Sequence, residues 1–194
     1  MKLYYTPGAC SLSDRIALHE AGIDVTFEKV DLKTKKTETG ADFLVINPMG
    51  YVPALILDDG EMITENIAVH FWIAEQTPAL SPPGVLGRTR LLEALSFIAE
   101  ELHMKFKPFF HNGSDADKES AAEVISKRLS FLAEKADAPY LFGSQFTGAD
   151  AYLFVVLMWA RRFDITIPER LHHFSKNVMA RESVRTALAE EGLN

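Results

Sequence analysis

The stretch from Tyr51 to Val69, YVPALILDDGEMITENIAV, constrains the fold of this chain more than any other. Residues 52–57 are a short apolar run with Pro53 near its beginning. Proline has no amide donor, so it suits the first residue of a strand and not its middle. Asp58-Asp59-Gly60 is a tight-turn signal, and 61–64 reads as a second short strand. A helix then follows, with Ile67, Phe71 and Ala74 expected on one face and Ala68 and Trp72 beside it. Glu65 and Asn66 fall where strand becomes helix. Free amides and the helix dipole attract an anion there, and a neighbouring carboxylate can hold an ammonium. This corner therefore suits the head of a zwitterionic amino acid, with a plain hairpin and an Asn cap as the alternative. A cis Val52–Pro53 bond would turn the polar backbone of Val52 outward, toward an extended ligand.

The 194 residues suffice for one large domain or two small ones, and 47% are hydrophobic, enough for a proper core. A net charge of −7 argues against a nucleic-acid or anionic-membrane partner. No apolar run approaches the roughly 20 residues that span a bilayer. The beginning MKLYYTPGACS lacks an apolar signal core, so no signal peptide is expected. The single cysteine, Cys10, has no intramolecular partner, which fits a reducing cytoplasm.

Before the central stretch come a strand at 2–5, a helix from Ser11 closing at Gly22, a strand over 25–32 and a short helix over 41–46. Residues 33–40, including Lys35, read as a surface loop. The resulting order is strand, helix, strand, helix, strand, strand, helix, which predicts a mixed four-stranded sheet flanked by helices over residues 1–77. Three prolines at 78, 82 and 83 mark a linker. From 85 to 194 the pattern is helical only. Long periodic helices are expected over 88–106 and 118–136, and shorter ones from Pro168 and Ser183. The very apolar segment 151–159 is expected at the centre of this domain. Ser11-Leu12-Ser13-Asp14 and Thr147-Gly148-Ala149-Asp150 both read as capping boxes with Asp in place of Glu.

Cys10 precedes a helix, where the dipole favours a thiolate, and Tyr5 and Ser11 lie close enough in sequence to donate hydrogen bonds. A buried, inert cysteine is the alternative. Cys10-Ser11-Leu12-Ser13 is a Cys-x-x-Cys skeleton without its second thiol, so it permits a mixed disulfide but not an internal dithiol cycle. His103 either faces a cleft as a proton donor or acceptor, or is a solvated or core histidine. Trp159, Phe106 and Phe110 suit an apolar pocket or an ordinary core. No cluster has metal-ligand spacing and no phosphate loop is present, so no metal is expected.

Together these segments resemble the bacterial cytosolic glutathione S-transferases, most nearly the beta class. The resemblance rests on residues 5–11 (YTPGACS), 47–55 (NPMGYVPAL), 65–69 (ENIAV), 101–103 (ELH) and 146–150 (FTGAD), and spans essentially the whole chain. It implies a thioredoxin-like N-terminal domain, an all-helical C-terminal domain and a homodimer with its active site between the domains. It implies glutathione as cosubstrate and conjugation to an apolar electrophile, with thiol–disulfide exchange through Cys10 as a companion activity. By the same resemblance Cys10 faces the glutathione sulfur, with Tyr5 and Ser11 beside it. Tyr51, Val52 and Pro53 offer the cysteinyl backbone its partner. Glu65 and Asn66 hold the γ-glutamyl head, Lys35 reaches the glycyl carboxylate, and His103 projects toward the thiol.

Three positions depart from the pattern. Asn66 stands where Ser or Thr is common, Met104 where Lys is frequent, and Ser96 where Asn is frequent. The electrophile side is expected to differ accordingly. A glutathione-dependent disulfide reductase or peroxidase, and a non-catalytic binding or regulatory protein on the same fold, are the alternatives.

Overall fold

The computed structural model describes residues 1–135 and 139–193. The N-terminal half contains β1 (Lys2–Tyr5), α1 (Ser11–Ala21), β2 (Thr26–Asp31), β3 (Lys36–Thr37), α2 (Phe43–Ile46), β4 (Ala54–Ile56), β5 (Met62–Thr64) and α3 (Asn66–Gln76). The sheet order is β3-β2-β1-β4-β5. β1 runs parallel to β2 and antiparallel to β4, with Leu3 opposite Phe27 and Leu55. The hairpin read at 54–64 is β4 and β5, paired antiparallel with Leu55 opposite Ile63.

The sheet thus has five strands, not four. The extra one, β3, lies inside the expected surface loop and pairs with the end of β2. At two residues, one charged and one buried, it offers no alternation for a sequence pattern to reveal. The buried face of α3 also differs from expectation. Val69, His70, Ile73 and Ala74 are buried, while Ala68 is exposed. This helix is apolar nearly all round, so periodicity alone does not select the face that packs.

Alternation across β1 divides the core. Leu3 faces α1 and α3 and joins a core continuous with the helical half. Tyr4 faces the other way, onto Val30, Phe43, Val52 and Ala54.

The helical half comprises α4 (Gly87–Phe97), α5 (Lys107–Phe110), α6 (Asp115–Lys135), α7 (Gly148–Arg162), α8 (Glu169–Met179) and α9 (Glu182–Glu191). The helix expected over 88–106 is not uniform. It passes from α4 into a π turn at Ile98–Leu102 and a 3-10 turn at His103–Phe106. Residue 136, in the expected second helix, and Asn194, the end of the expected helical domain, lie outside the described residues. The observed α6 begins earlier than expected because Ser114 and Asp117 cap each other: Ser114 N–H donates to Asp117 Oδ2 at 3.1 Å and Asp117 N–H to Ser114 Oγ at 3.2 Å.

Central burial of α7 follows the sequence expectation, residues 148–157 all being buried. Its Thr147–Asp150 box is present. Asp150 Oδ2 accepts from Thr147 N–H at 2.7 Å and from the Thr147 hydroxyl at 2.6 Å, and Oδ1 accepts from Leu141 N–H at 2.7 Å. Gly148 is required at the next position, since a Cβ would come within 2.9 Å of His70 Nδ1. α1 packs against α3 of its own half and against α7 and α9 of the other. The N-terminus of α1 therefore lies at the junction of the two halves. Among the described residues, no helix is long and apolar enough to cross a membrane.

Candidate active site

Cys10 occupies the N-cap position of α1. The expected Ser11–Asp14 box does not form, because the helix begins at Ser11 and the cap falls one residue earlier. Ser11 Oγ instead accepts Thr6 N–H at 3.3 Å and steadies the preceding loop. The Ser13 hydroxyl donates to Cys10 O at 2.7 Å. Asn66 Nδ2 donates to the same carbonyl at 3.3 Å and to Ser13 Oγ at 2.7 Å. With the only Ser13 proton used, His70 Nε2–H donates to Ser13 Oγ at 2.9 Å. α3 thus anchors the start of α1 through two side chains.

The Cys10 thiol donates to Val52 O at 3.5 Å. Here the expectation of a dipole-favoured thiolate is corrected for the free protein. Burial pushes the thiol pKa up, and the carboxylates of Asp14 and Glu65 add to this. The backbone N–H groups of Ser11 and Cys10 pull it down but do not prevail. Cys10 in this state is a neutral hydrogen-bond donor.

The Val52–Pro53 peptide is cis. Beside it, Lys35 Nζ donates to Gly50 O at 2.8 Å and lies 5.4 Å from the centre of the exposed Tyr51 ring. Glu65 is exposed at the N-cap of α3. Lys35 and Glu65 both have positive φ, 56° and 68°, and are two of four such non-glycine residues among those described. Such backbones cost about 1–3 kcal/mol each and persist where the surroundings over-determine them. Cys10, Val52, Asn66 and Glu65 are thereby gathered, with Lys35 and Tyr51 adjoining. The side-chain N–H groups of Asn66 are directed at α1, while its buried Oδ1 has no partner among the described residues. The first amides of α3 remain to meet an anion.

Tyr5 is not joined to Cys10 by a hydrogen bond. Its ring lies under the Arg15 guanidinium at 3.9 Å. Ser96, half-buried on α4, has no hydrogen bond among the described residues to this cluster.

The helical half brings a second group of the expected residues to the loop before Cys10. His103 stands where the π turn gives way to the 3-10 turn, an irregularity often found at functional positions. Its Nδ1 is 2.6 Å from the Tyr152 hydroxyl, and its ring meets Trp159 at 4.8 Å. Burial lowers its pKa to about 4, so the ring is neutral at neutral pH. Trp159 Nε1–H in turn donates to Gly8 O at 2.8 Å, in the loop leading to Cys10. Gly8 takes φ +70°, and its N–H donates to Glu191 Oε2 at 2.8 Å. The loop before Cys10 is thus held by α7 and α9. Phe106 and Phe110 also meet Trp159, at 5.5 and 5.2 Å, and Phe110 and Met104 remain partly exposed at this edge.

Sequence reasoning did not single out Ser13, His70, Tyr152 or Glu191. Ser13 was legible only as the place of a missing second thiol, and the other three carry no local motif and meet partners distant in the chain. Among the described residues, no group of His, Cys, Asp and Glu could hold a metal.

A cysteine at the first helix of a thioredoxin-like sheet, a cis Val-Pro edge beside it and a helical domain packed on that helix define the class of glutathione-binding transferases. Residues 9–76 match the glutathione S-transferase N-terminal domain family, and residues 90–182 the C-terminal domain family. The chain is 40% identical to glutathione S-transferase GstA of Escherichia coli O157:H7, covering both chains completely. A sphingomonad glutathione S-transferase complexed with glutathione superposes with a TM-score of 0.93 at 45% identity, covering 100% of each chain. The bacterial beta-class glutathione S-transferase of Sphingomonas chungbukensis does so with 0.92 at 44%, again covering 100% of each. This chain belongs to the glutathione S-transferase family.

Proposed function

We propose that this protein conjugates glutathione to an apolar electrophile, acting as a cytoplasmic homodimer. The observation that carries the reading is the convergence of Cys10, Val52 and Asn66, with Glu65 beside them, and the link from the loop before Cys10 through Trp159 to His103 of the helical half. Glutathione lies extended along the Tyr51–Pro53 edge. The Glu65 carboxylate takes its ammonium, and the first amides of α3 take the γ-glutamyl carboxylate. Lys35 leaves Gly50 O for the glycyl carboxylate. The Cys10 S–H turns from Val52 O to the incoming sulfur, freeing that carbonyl for the cysteinyl N–H. His103, neutral, donates its free N–H to the developing thiolate. Lowering the glutathione thiol pKa by two units amounts to about 2.7 kcal/mol of differential stabilisation. Ser11 and Tyr5 support the loop and strand around Cys10, and Ser96 lies on the electrophile side. Phe110 and Met104 offer an apolar wall to the electrophile. Exposed Val45, Met49 and Tyr51 form an apolar edge suited to a second copy.

Conjugation is preferred over a disulfide reductase because exchange through Cys10 requires its thiolate, which burial opposes. The test is calorimetric titration with glutathione alongside rates with a model aromatic halide and with a glutathione mixed disulfide. Glu65→Ala is expected to weaken glutathione at least about tenfold, and Lys35→Ala less than about fivefold. Halide conjugation should exceed disulfide reduction. No binding by the wild type, or equal losses in the two variants, contradicts the reading.

A further inference from the structure

We propose that Tyr152 is a positioning residue for the transfer reaction: its phenolic O–H donates to His103 Nδ1 and holds His103 in the tautomer that carries its proton on Nε2, the nitrogen left to face the glutathione sulfur. The proposal rests on the reading of His103 given above.

Tyr152 lies on α7 and is 1% exposed. Its hydroxyl has a single proton, and among the described residues His103 Nδ1, at 2.6 Å, is its one hydrogen-bond partner. If Nδ1 carried the hydrogen, the Tyr152 O–H would be left buried without an acceptor, the costlier arrangement. The phenol does not escape by ionising. Burial raises its pKa, and Cys10 and Asp14 of α1, Glu65 at the start of α3 and Glu100 of the π turn raise it further. His103 is uncharged near neutrality, so fixing Nδ1 as acceptor fixes Nε2 as donor. The ring stands edge-on to Tyr152 at 86° and to Trp159 at 62°, which restricts its rotation.

Tyr152 also touches the other half of the site. It stacks on His70 at 6.0 Å and 21°, and His70 leads through Ser13 to the Cys10 carbonyl. One buried side chain of α7 therefore contacts a histidine from each half, one beside Cys10 and one facing the cleft.

Imidazole nitrogen NMR of the whole protein reads the His103 tautomer directly, with His103→Gln assigning the signal. The wild type is expected to show Nε2–H, and Tyr152→Phe to move the proton to Nδ1 in a large share of molecules. Phe keeps the ring and its stacking on His70. Tyr152→Phe should lower kcat about tenfold with the KM for glutathione unchanged, and shift the acid limb of the pH–rate profile up by about one unit. A role limited to packing would move neither the tautomer nor that limb. Nδ1–H in the wild type overturns the proposal. An impaired His103→Gln beside an unimpaired Tyr152→Phe overturns this proposal alone. A His103→Gln enzyme with wild-type kcat overturns the reading of His103 and this proposal with it. If Tyr152→Phe does not fold, the wild-type spectrum decides: Nε2–H supports the assignment and Nδ1–H defeats it.

Discussion

At the start of α7, Thr147 and Asp150 hold each other; at the start of α1, Ser11 and Asp14 have the same spacing and share no hydrogen bond. Both aspartates are fully buried. Asp150 accepts three hydrogen bonds, whereas neither oxygen of Asp14 has a partner among the described residues, His70 Nε2 standing 3.6 Å away. The difference is one of register. In α7 the Thr is the N-cap, while in α1 that place belongs to Cys10 and the Ser is already helical. An end that caps itself is a folding element, complete within its own segment. An end that does not must be gathered by others. The start of α1 is held by Asn66 and His70 of α3, and its preceding loop by Trp159 of α7 and Glu191 of α9. That dependence brings both halves of the molecule to one thiol.

The largest effect should come from breaking the self-contained end. Asp150→Ala removes the acceptor of three donors, two of them buried, and is expected to lower unfolding free energy by about 2–4 kcal/mol in urea titrations. Glutathione affinity of the folded variant should be unchanged. Lost binding with unchanged melting would make the Thr147–Asp150 box part of the site and erase the contrast.

A second test addresses how α9 holds the Gly8 loop. Burial raises the Glu191 carboxyl to about 7, outweighing the Gly8 N–H and Arg15, which lower it. Unfolded, the same carboxyl titrates near 4.5. Between these values the folded state keeps a proton that the unfolded state has lost. The contribution is full below about pH 4.5 and is lost as pH rises through 7, by at most about 3 kcal/mol. Glu191→Gln should remove this slope when its stability is compared with wild type at each pH. A slope that persists in the variant would place the titration elsewhere.

The smallest effect sharpens the contrast between the two aspartates. Burial raises the Asp14 pKa well above its ordinary value, and Glu191 adds to this. The stability tied to its protonated form is lost as pH rises. Asp14→Asn, which never ionises, should therefore stabilise the fold by about 1 kcal/mol at pH 8. Asp150→Asn should destabilise it under the same conditions. If both substitutions destabilise equally, Asp14 is held by partners as strong as those of Asp150.

Much of this was legible from local chemistry. Pro53, the Asp-Asp-Gly turn and the short apolar runs around them specify β4 and β5. Gly22 closes α1 in the left-handed conformation, as its position predicts. The apolar run after Asp150 announces a central helix. The Ser114–Asp117 box was equally open to reading, having the same spacing as the others. β3 was not, since two residues carry no period, nor was the buried face of α3, whose sides are too alike in hydropathy.

The sequence by itself determined the order of the main elements apart from β3, the division into sheet and helical halves, and the residue types gathered at the candidate site, because these depend on spacing and on chemistry within a few residues. Tertiary structure alone decided the state of those residues. Cys10 is a neutral thiol because burial, with the carboxylates of Asp14 one turn on and of distant Glu65, outweighs the two amides at the start of its own helix. Lys35 and Glu65 adopt positive φ, which non-glycine residues keep only where the surrounding structure over-determines it. His103 and Tyr152, 49 positions apart, meet because a π turn and the central helix bring them within one hydrogen bond. A side chain's charge, tautomer and partner depend on what surrounds it in space, and neighbours in the chain supply only part of that.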